Sequence, residues 1–154
     1  MAALVDEVTV RIAQIQDLPA LVALLQDDVL GRGREQTDDL TPYEVAWDEM
    51  QLDPNTEMLV LDLAGRVVGM ATLTYSRQLA QQGLRRCTVE SVRVASDLRG
   101  QGLGQALIQS CLDMARARGC GLVQLSSSNS RSDAHRFYQR LGFEASHTGF
   151  KLYL

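Results

Sequence analysis

The six residues R-G-Q-G-L-G at 99–104 stand between an alternating apolar run, TVESVRV at 88–94, and a run with helical spacing, QALIQSCLDMARARG at 105–119. This order predicts a strand, a glycine loop and a helix in direct succession. Backbone N–H groups at a helix N-terminus bind anions, and glycines let an anion come close because they lack Cβ. The pattern favours a phosphate-binding loop over a plain strand–helix connection.

Two well-known phosphate loops do not fit this spacing. A P-loop requires Lys and Ser or Thr directly after its last glycine, whereas Gln105 and Ala106 follow Gly104. A dinucleotide-binding fingerprint requires a third small residue at Gln105 or Leu107. The sequence therefore argues against a nucleotide hydrolase and against a dinucleotide-binding domain.

Composition narrows the class of protein further. A length of 154 residues predicts a single domain over 1–154. The net charge of −4 disfavours nucleic acid and anionic membranes as partners, and no apolar run approaches membrane-spanning length. Cys87, Cys111 and Cys120 show neither C-x-x-C spacing nor a nearby histidine, so no metal site and no disulfide framework is predicted. We expect a soluble protein in the reducing cytoplasm.

Hydrophobic periodicity and turn signals predict ten elements in the order β-α-α-β-β-β-α-β-α-β. They indicate an α/β (α+β) domain with one mixed sheet. The first helix has Asp17 as its N-cap, and Thr41 to Glu44 form a capping box for the second. The predicted ranges are a half-buried strand at 8–12, a helix from 18, an irregular segment at 27–40, a helix at 41–52, a hairpin of 57–63 and 67–76, a polar loop at 77–86, a strand at 87–95, a helix at 102–118, a buried strand at 122–128, a helix at 132–140 and strand material at 143–154.

Three motifs in this order resemble the GNAT superfamily of acetyl-CoA-dependent N-acetyltransferases. R99-G-Q-G-L-G104 fits that family's [QR]-x-x-G-x-[GA] loop, E90-S-V-R-V94 precedes it, and A134-H-R-F-Y-Q-R-L-G-F143 follows at the family's spacing. The resemblance covers nearly the whole chain and implies a single, largely antiparallel sheet flanked by helices. It also implies direct transfer of an acetyl group from acetyl-CoA to an amine in a ternary complex, without a metal.

The resemblance also implies which residues bind the coenzyme. The strand at 122–128 is expected to splay from 87–95, so that the pantetheine arm pairs with backbone groups there. The amides of the glycine loop would hold the pyrophosphate, and two residues beyond the next strand would touch the coenzyme. The expected set is Val92, Arg93, Val94, Arg99, Gly100, Gln101, Gly102, Leu103, Gly104, Asn129, Ser132 and Tyr138.

Acetyl transfer to an amine needs a neutral nitrogen, stabilisation of an oxyanion and a proton for the departing thiolate. By resemblance, the Val92 N–H polarises the thioester carbonyl, Tyr138 donates a proton to the sulfur, and Glu90 is the base. A phenol stays protonated at neutral pH, which suits it to the acid role. The alternatives are a packing role for Tyr138, a solvent-facing or arginine-paired Glu90, and a surface charge at Arg99.

The sequence does not distinguish a small-molecule amine from a peptide amine as the acceptor. The second helix, with Tyr43, Trp47 and Met50, either lines the acceptor site or packs on the core. Acidic residues either attract a cationic amine or form a solvated loop; they are Asp27, Asp28, Glu35, Asp38 and Asp39. His135 and His147 are given no role.

The sequence also bears on two other functions and on self-association. A non-catalytic acyl-CoA-binding sensor domain is the alternative to an enzyme. An acyltransferase acting on aminoacyl-tRNA is disfavoured by the net charge of −4. The apolar end FKLYL at 150–154 is compatible with a homodimer.

Overall fold

The computed structural model describes residues 3–28, 30–35 and 37–154. The chain forms two compact units, a first that ends at Gln124 and a second that spans Leu125–Leu154. Within the described ranges, no helix combines the length and the apolar character that crossing a bilayer would require.

The first unit is built around a five-stranded sheet in the order β1-β2-β3-β4-β5. The first three neighbouring pairs are antiparallel, and β4 and β5 are parallel. This confirms the predicted fold class of one mixed, largely antiparallel sheet flanked by helices. The elements are α1 Leu4–Glu7, β1 Val8–Ile12, α2 Leu18–Gln26, α3 Thr41–Leu52, β2 Thr56–Leu63, β3 Arg66–Arg77, the short helical turn α4 Ala80–Gly83, β4 Arg85–Val94, α5 Leu103–Ala117, β5 Leu122–Gln124 and, in the second unit, α6 Ser132–Arg140.

Two helices pack on the central strands and bury the core. The helical spacing of apolar residues gives α5 one buried face, formed by Leu103, Leu107, Ile108, Cys111 and Ala115. Helix α2 buries Leu18, Leu21, Val22 and Leu24, and both helices contact β3 and β4. The sequences of the central strands are therefore largely apolar, and Val68 to Ala71 are all buried.

Arg11 links β1 to β2 and to the start of α2. Its guanidinium donates two hydrogen bonds to the Asp17 carboxylate, at 2.7 and 2.9 Å, and one to Asp62 at 3.0 Å. These bonds hold the pKa of Asp17 below its ordinary value. Asp17 was predicted to cap α2, but its carboxylate accepts instead from Arg11 and from the Gln14 N–H at 2.7 Å.

A second polar cluster fixes the C-terminal end of α5 to the sheet. The Tyr75 hydroxyl donates to Glu57 at 2.7 Å, and the guanidinium of Arg118 lies 4.7 Å from the centre of the Tyr75 ring and pairs with Glu57. Burial raises the pKa of the Tyr75 phenol. With this end of α5 anchored, its N-terminus is held at the opposite end of the sheet.

The helix and strand predictions were mostly right, and the errors have physical causes. Val10 and Ile12 are exposed, not half-buried, because β1 is an edge strand and the helices pack on β3 and β4. Helix α3 starts at Thr41 without the predicted capping box, because Leu40 and not Thr41 is the N-cap; the Thr41 N–H donates to Asp39 at 3.0 Å. Within the predicted irregular segment, Val29 and Gln36 lie outside the described residues.

The last two predicted strands were too long or wrong. Strand β5 covers Leu122–Gln124 instead of 122–128, because its pairing with β4 ends at Thr88. Residues 143–154 form neither helix nor strand, since a strand requires a neighbour to accept its hydrogen bonds and none is paired with this segment in the described chain. Its apolar side chains are exposed, as in Phe150 and Leu152.

Candidate active site

Strand β4 carries a β-bulge in the middle of the predicted site. Glu90 pairs with Thr72 and Arg93 pairs with Met70, so the single residue Ala71 stands opposite both Ser91 and Val92. Ser91 has a φ of +54°, a left-handed conformation that costs a residue with a Cβ about 1–2 kcal/mol. Strain of this kind is concentrated at functional sites. The bulge turns the backbone at Val92, where the oxyanion donor is predicted.

The same strand separates from β5 just before the bulge. Parallel pairing covers only Arg86 to Thr88 on β4, opposite Leu122 to Gln124. No β5 residue pairs with β4 beyond Thr88. Within the first unit, the edge of β4 that leads to Val94 therefore has no strand paired with it on its β5 side, and the predicted splay of 122–128 stays a prediction.

The glycine loop ends at an uncapped helix N-terminus. Gly100 and Gly102 have φ values of +76° and +85°, and Gly102 is the N-cap of α5. The first intrahelical bond to that cap comes from the Ala106 N–H, at 3.1 Å to the Gly102 carbonyl. Among the described residues no side chain caps α5, so the amides of its first turn keep the donor capacity that an anion would use.

Arg99 supports this loop through hydrogen bonds to backbone carbonyls. Its side chain donates to the carbonyl of Val94 at 3.2 Å and to that of Asp27 at 3.0 Å. The Asp27 carboxylate accepts from both the N–H and the hydroxyl of Ser96, at 3.0 and 3.1 Å. The Ser96 hydrogen bonds hold the pKa of Asp27 below its ordinary value. The end of α2 and the loop before α5 are therefore tied together.

Most of the acidic residues considered for amine attraction have partners inside the protein. The Asp28 carboxylate lies 2.9 Å from Arg93 Nε, and both side chains are largely buried. Glu35 accepts from the Tyr43 hydroxyl at 2.7 Å. Trp47 is buried and packs in the core. These contacts favour the structural alternative for this region.

The second unit holds the remaining predicted site residues. Asn129 lies in the turn before α6, and Ser132 is the first residue of that helix. The half-buried Tyr138 ring makes edge-to-face contacts with Phe137 and Phe143, at centroid distances of 5.1 and 5.8 Å. The aromatic packing considered for this residue is thus present, and the acid role of its hydroxyl stays a prediction.

The first unit brings the strand and loop residues of the predicted site into one continuous structure, from Glu90 through Val94 to the start of α5. Sequence reasoning missed Ser91, although a signal was present. Buried apolar residues fall on odd positions at Cys87 and Val89, then apolar residues shift to even positions at Val92 and Val94. Such a change of parity indicates a bulge. The Asp27–Ser96 link gave no signal, because its partners are 69 residues apart.

The donor set fits a diphosphate ester carrying an amide-containing arm. Outward amides and left-handed glycines at the start of α5 suit a pyrophosphate, and the open edge of β4 suits an arm that pairs like a strand. Among the described residues, no three His, Cys, Asp or Glu side chains are grouped to hold a metal ion.

Comparison with known proteins agrees with this geometry. The family model described as acetyltransferase (GNAT) family matches residues 18–143. An L-methionine sulfoximine/L-methionine sulfone acetyltransferase of Pseudomonas aeruginosa is 30% identical over 141 residues, which are 90% of this chain and 81% of that protein. An aminoalkylphosphonate N-acetyltransferase of Salmonella typhimurium is 35% identical over 99 residues, 64% of each chain.

A solved structure is similar over almost its full length. It is described as a transcriptional regulator from Bacillus halodurans, is 42% identical, and superposes with a TM-score of 0.93 over 96% of this chain and 99% of that chain. The bulged strand, the glycine-capped helix and the family match over residues 18–143 lead to the same conclusion. The chain belongs to the GNAT family of acetyltransferases.

Proposed function

We propose that this protein transfers the acetyl group of acetyl-CoA to a primary amine of a small molecule or peptide, by direct transfer within a ternary complex. The observation that carries this proposal is the bulge at Ser91. It lies between the exposed Glu90 and Val92 on β4, and this strand leads to the glycine loop at the start of α5. The named relatives support an amine acceptor, since both are acetyltransferases that act on amino compounds.

The coenzyme is held by backbone groups in this proposal. Amides of residues 99–104 bind the pyrophosphate, and the backbone of Val92, Arg93 and Val94 pairs with the pantetheine arm. Asn129 and Ser132 add contacts from the second unit. When bound, acetyl-CoA supplies an activated acetyl group whose leaving group is a thiolate.

Three residues carry the chemistry. Glu90 accepts a proton from the ammonium form of the acceptor, directly or through water. The Val92 N–H stabilises negative charge on the acetyl oxygen, and a fixed backbone donor does so without reorganisation. The Tyr138 hydroxyl donates a proton to the departing sulfur.

The site works in the cytoplasm as part of a homodimer in this proposal. Three free cysteines, two of them buried, support a reducing compartment. The exposed apolar side chains of residues 150–154 support self-association, because contiguous exposed apolar surface marks interaction sites.

A non-catalytic acyl-CoA sensor is the second candidate function. The observation that favours it is the 42% identity to a solved chain described as a transcriptional regulator. Acetyl-CoA binding fits both candidates, whereas turnover of an amine fits only the enzyme.

The deciding experiment combines an amine screen with a single-hydroxyl variant. The wild-type protein is expected to release free thiol from acetyl-CoA in the presence of an amine, with the acetylated product identified by mass spectrometry. Tyr138→Phe keeps the ring and its packing but removes the acid, so its single-turnover rate should fall about a hundredfold at saturating acetyl-CoA.

The matched control is Tyr153→Phe, because the exposed Tyr153 has no proposed role in acetyl transfer and the variant keeps the apolar ring of the segment 150–154. It should react at the wild-type rate. A folded Tyr138→Phe protein with the wild-type single-turnover rate would return Tyr138 to a packing role. Binding of acetyl-CoA without turnover of any amine would favour the sensor.

A further inference from the structure

The face of the sheet opposite α5 carries a polar strip beside the proposed site. Three cross-strand pairs of β3 and β4 form it: Thr72 with Glu90, Thr74 with Thr88, and Ser76 with Arg86. Intervening residues such as Tyr75 and Cys87 point to the other face and are buried. The polar strip therefore presents hydroxyl groups between a carboxylate at one end and a guanidinium at the other.

Arg86 lacks a strong partner. Among the described residues, its side chain makes one hydrogen bond, from Nη2 to the Gln81 side-chain oxygen at 3.4 Å, which is longer than an ordinary N–H···O bond. The Nε atom is buried and has no hydrogen-bond partner among the described residues, and the side chain as a whole is half-buried. A partly desolvated guanidinium without an anion is unfavourable by itself and is well suited to bind one.

The other half-buried arginines of the described chain all have strong partners. Each pairs with a carboxylate or donates a short hydrogen bond to a carbonyl. They are Arg11 with Asp17, Arg85 with the Arg118 carbonyl at 2.8 Å, Arg93 with Asp28, and Arg118 with Glu57. Arg86 is thus the half-buried arginine of the described chain that has neither a carboxylate partner nor a short hydrogen bond to a carbonyl, while its buried Nε without a hydrogen bond is a feature that it shares with Arg93.

The loop that contacts Arg86 is strained. Gln81 and Gln82 have φ values of 54° and 60°, and Gly83 continues the left-handed run with +73°. Left-handed residues with a Cβ are rare, and their strain is retained mainly where function requires it. The neighbouring Leu79 is almost fully exposed. The loop thus places an exposed apolar side chain near the weakly bonded guanidinium, where an acceptor could contact both.

We propose that Arg86 binds an acidic group of the acceptor, so that the preferred acceptors are amines that also carry a carboxylate, phosphonate or phosphate. This rests on the proposed function, in which Glu90 receives the amine. Four residues of strand place the two Cα atoms about 13 Å apart, and both side chains lie on the same face. An amino acid or amino phosphate that lies along the polar strip would place its amine near Glu90 and its acidic group near Arg86, and the planar guanidinium matches the two oxygens of that group.

The test uses matched acceptors that differ in charge. The pairs are L-methionine with L-methioninamide, 2-aminoethylphosphonate with ethanolamine, and glucosamine 6-phosphate with glucosamine. The wild-type protein should acetylate the acidic member of at least one pair with the higher kcat/KM. Arg86→Gln should lower kcat/KM for that acid between about tenfold and a hundredfold, mainly through KM, and leave its neutral partner unchanged. Arg86→Lys should retain part of the preference.

Arg116→Gln is the control, because this exposed arginine on α5 pairs with Asp113 and lies outside the polar strip and its loop. It should not change the acid preference. Equal loss for acid and neutral amine in Arg86→Gln, or a wild-type preference for the neutral members, would overturn the proposal.

Calorimetry separates this proposal from the proposed function. The same compounds are titrated into protein saturated with coenzyme A. If no amine is acetylated, the enzyme proposal fails, and binding of an acid that disappears in Arg86→Gln still supports the anion site. Acids that bind no better than their neutral partners contradict it, whatever the activity.

Discussion

Glu90 is the residue at which the base proposal is most directly tested. It is exposed on β4 and pairs across the sheet with Thr72, next to the bulge. An ammonium with a pKa near 10 is mostly protonated at neutral pH, so a base is needed most at low pH and least at high pH. Glu90→Gln should therefore lose the most activity near pH 6, and its rate should approach that of the wild type near pH 10.

The measurement is the ratio of kcat/KM between variant and wild type from pH 6 to 10, with one identified acceptor. Glu144→Gln serves as the control, since Glu144 is exposed in the second unit. A ratio that stays constant across pH would assign Glu90 to acceptor positioning instead of proton transfer.

At this scale the sequence indicated residue types better than residue contacts. Gly102 and Gly104 were predicted to allow the close approach of an anion; Gly102 is the left-handed N-cap of α5, and Gly104 lies in its first turn. The contact of Arg99 with phosphate stays a prediction, whereas the hydrogen bonds of its side chain to the Val94 and Asp27 carbonyls were not predicted. The difference arises because a local motif fixes backbone conformation, whereas a long side chain bonds with whatever the fold brings near it.

Helix α5 is the element on which coenzyme binding depends in the proposal. Gly104 lies in its first turn with an ordinary helical backbone, whereas Gly102 is left-handed and would be strained by any side chain. Gly104→Val should therefore obstruct the approach of a pyrophosphate to the first-turn amides without breaking the fold. We expect the affinity for coenzyme A to fall at least tenfold.

Calorimetry with coenzyme A measures this change, and thermal unfolding reports whether the variant is folded. Gln109→Val on the exposed face of α5 introduces the same β-branched side chain away from the loop and should bind normally. A folded Gly104→Val protein with unchanged affinity would place the coenzyme elsewhere.

Elements were predictable where periodicity and local caps determine them. Helix α6 has its predicted bounds, and α3 and α5 differ from theirs by at most one residue. Strand β5 and the segment 143–154 were not predictable, because a strand exists only where a neighbour pairs with it. The alternation of apolar residues in FKLYL indicates a segment that can form a strand, but it does not specify which strand would pair with it.

The whole-molecule proposal is a homodimer formed through the segment 150–154. Phe150, Leu152 and Leu154 alternate and are exposed to 93%, 85% and 117% of their reference areas. Sedimentation velocity at micromolar concentration should show a dimer. A protein with all three residues replaced by serine should sediment as a monomer, because the apolar surface that is buried on association is removed.

Leu79→Ser removes an equally exposed apolar side chain from the first unit and should leave the dimer intact. A monomeric wild-type protein would contradict the homodimer proposal, and the segment 150–154 would then have no assigned partner.

The bulge in β4 also separates two properties that usually change together, the length of a strand and its register. Because Ala71 faces both Ser91 and Val92, β4 is one residue longer than its pairing with β3 requires. A deletion of codon 91 would keep Glu90 opposite Thr72 and Arg93 opposite Met70, with every side chain on its present face. We therefore expect the protein to fold without Ser91, so that deleting this residue would separate the effect of the bulge on acetyl transfer from its effect on stability.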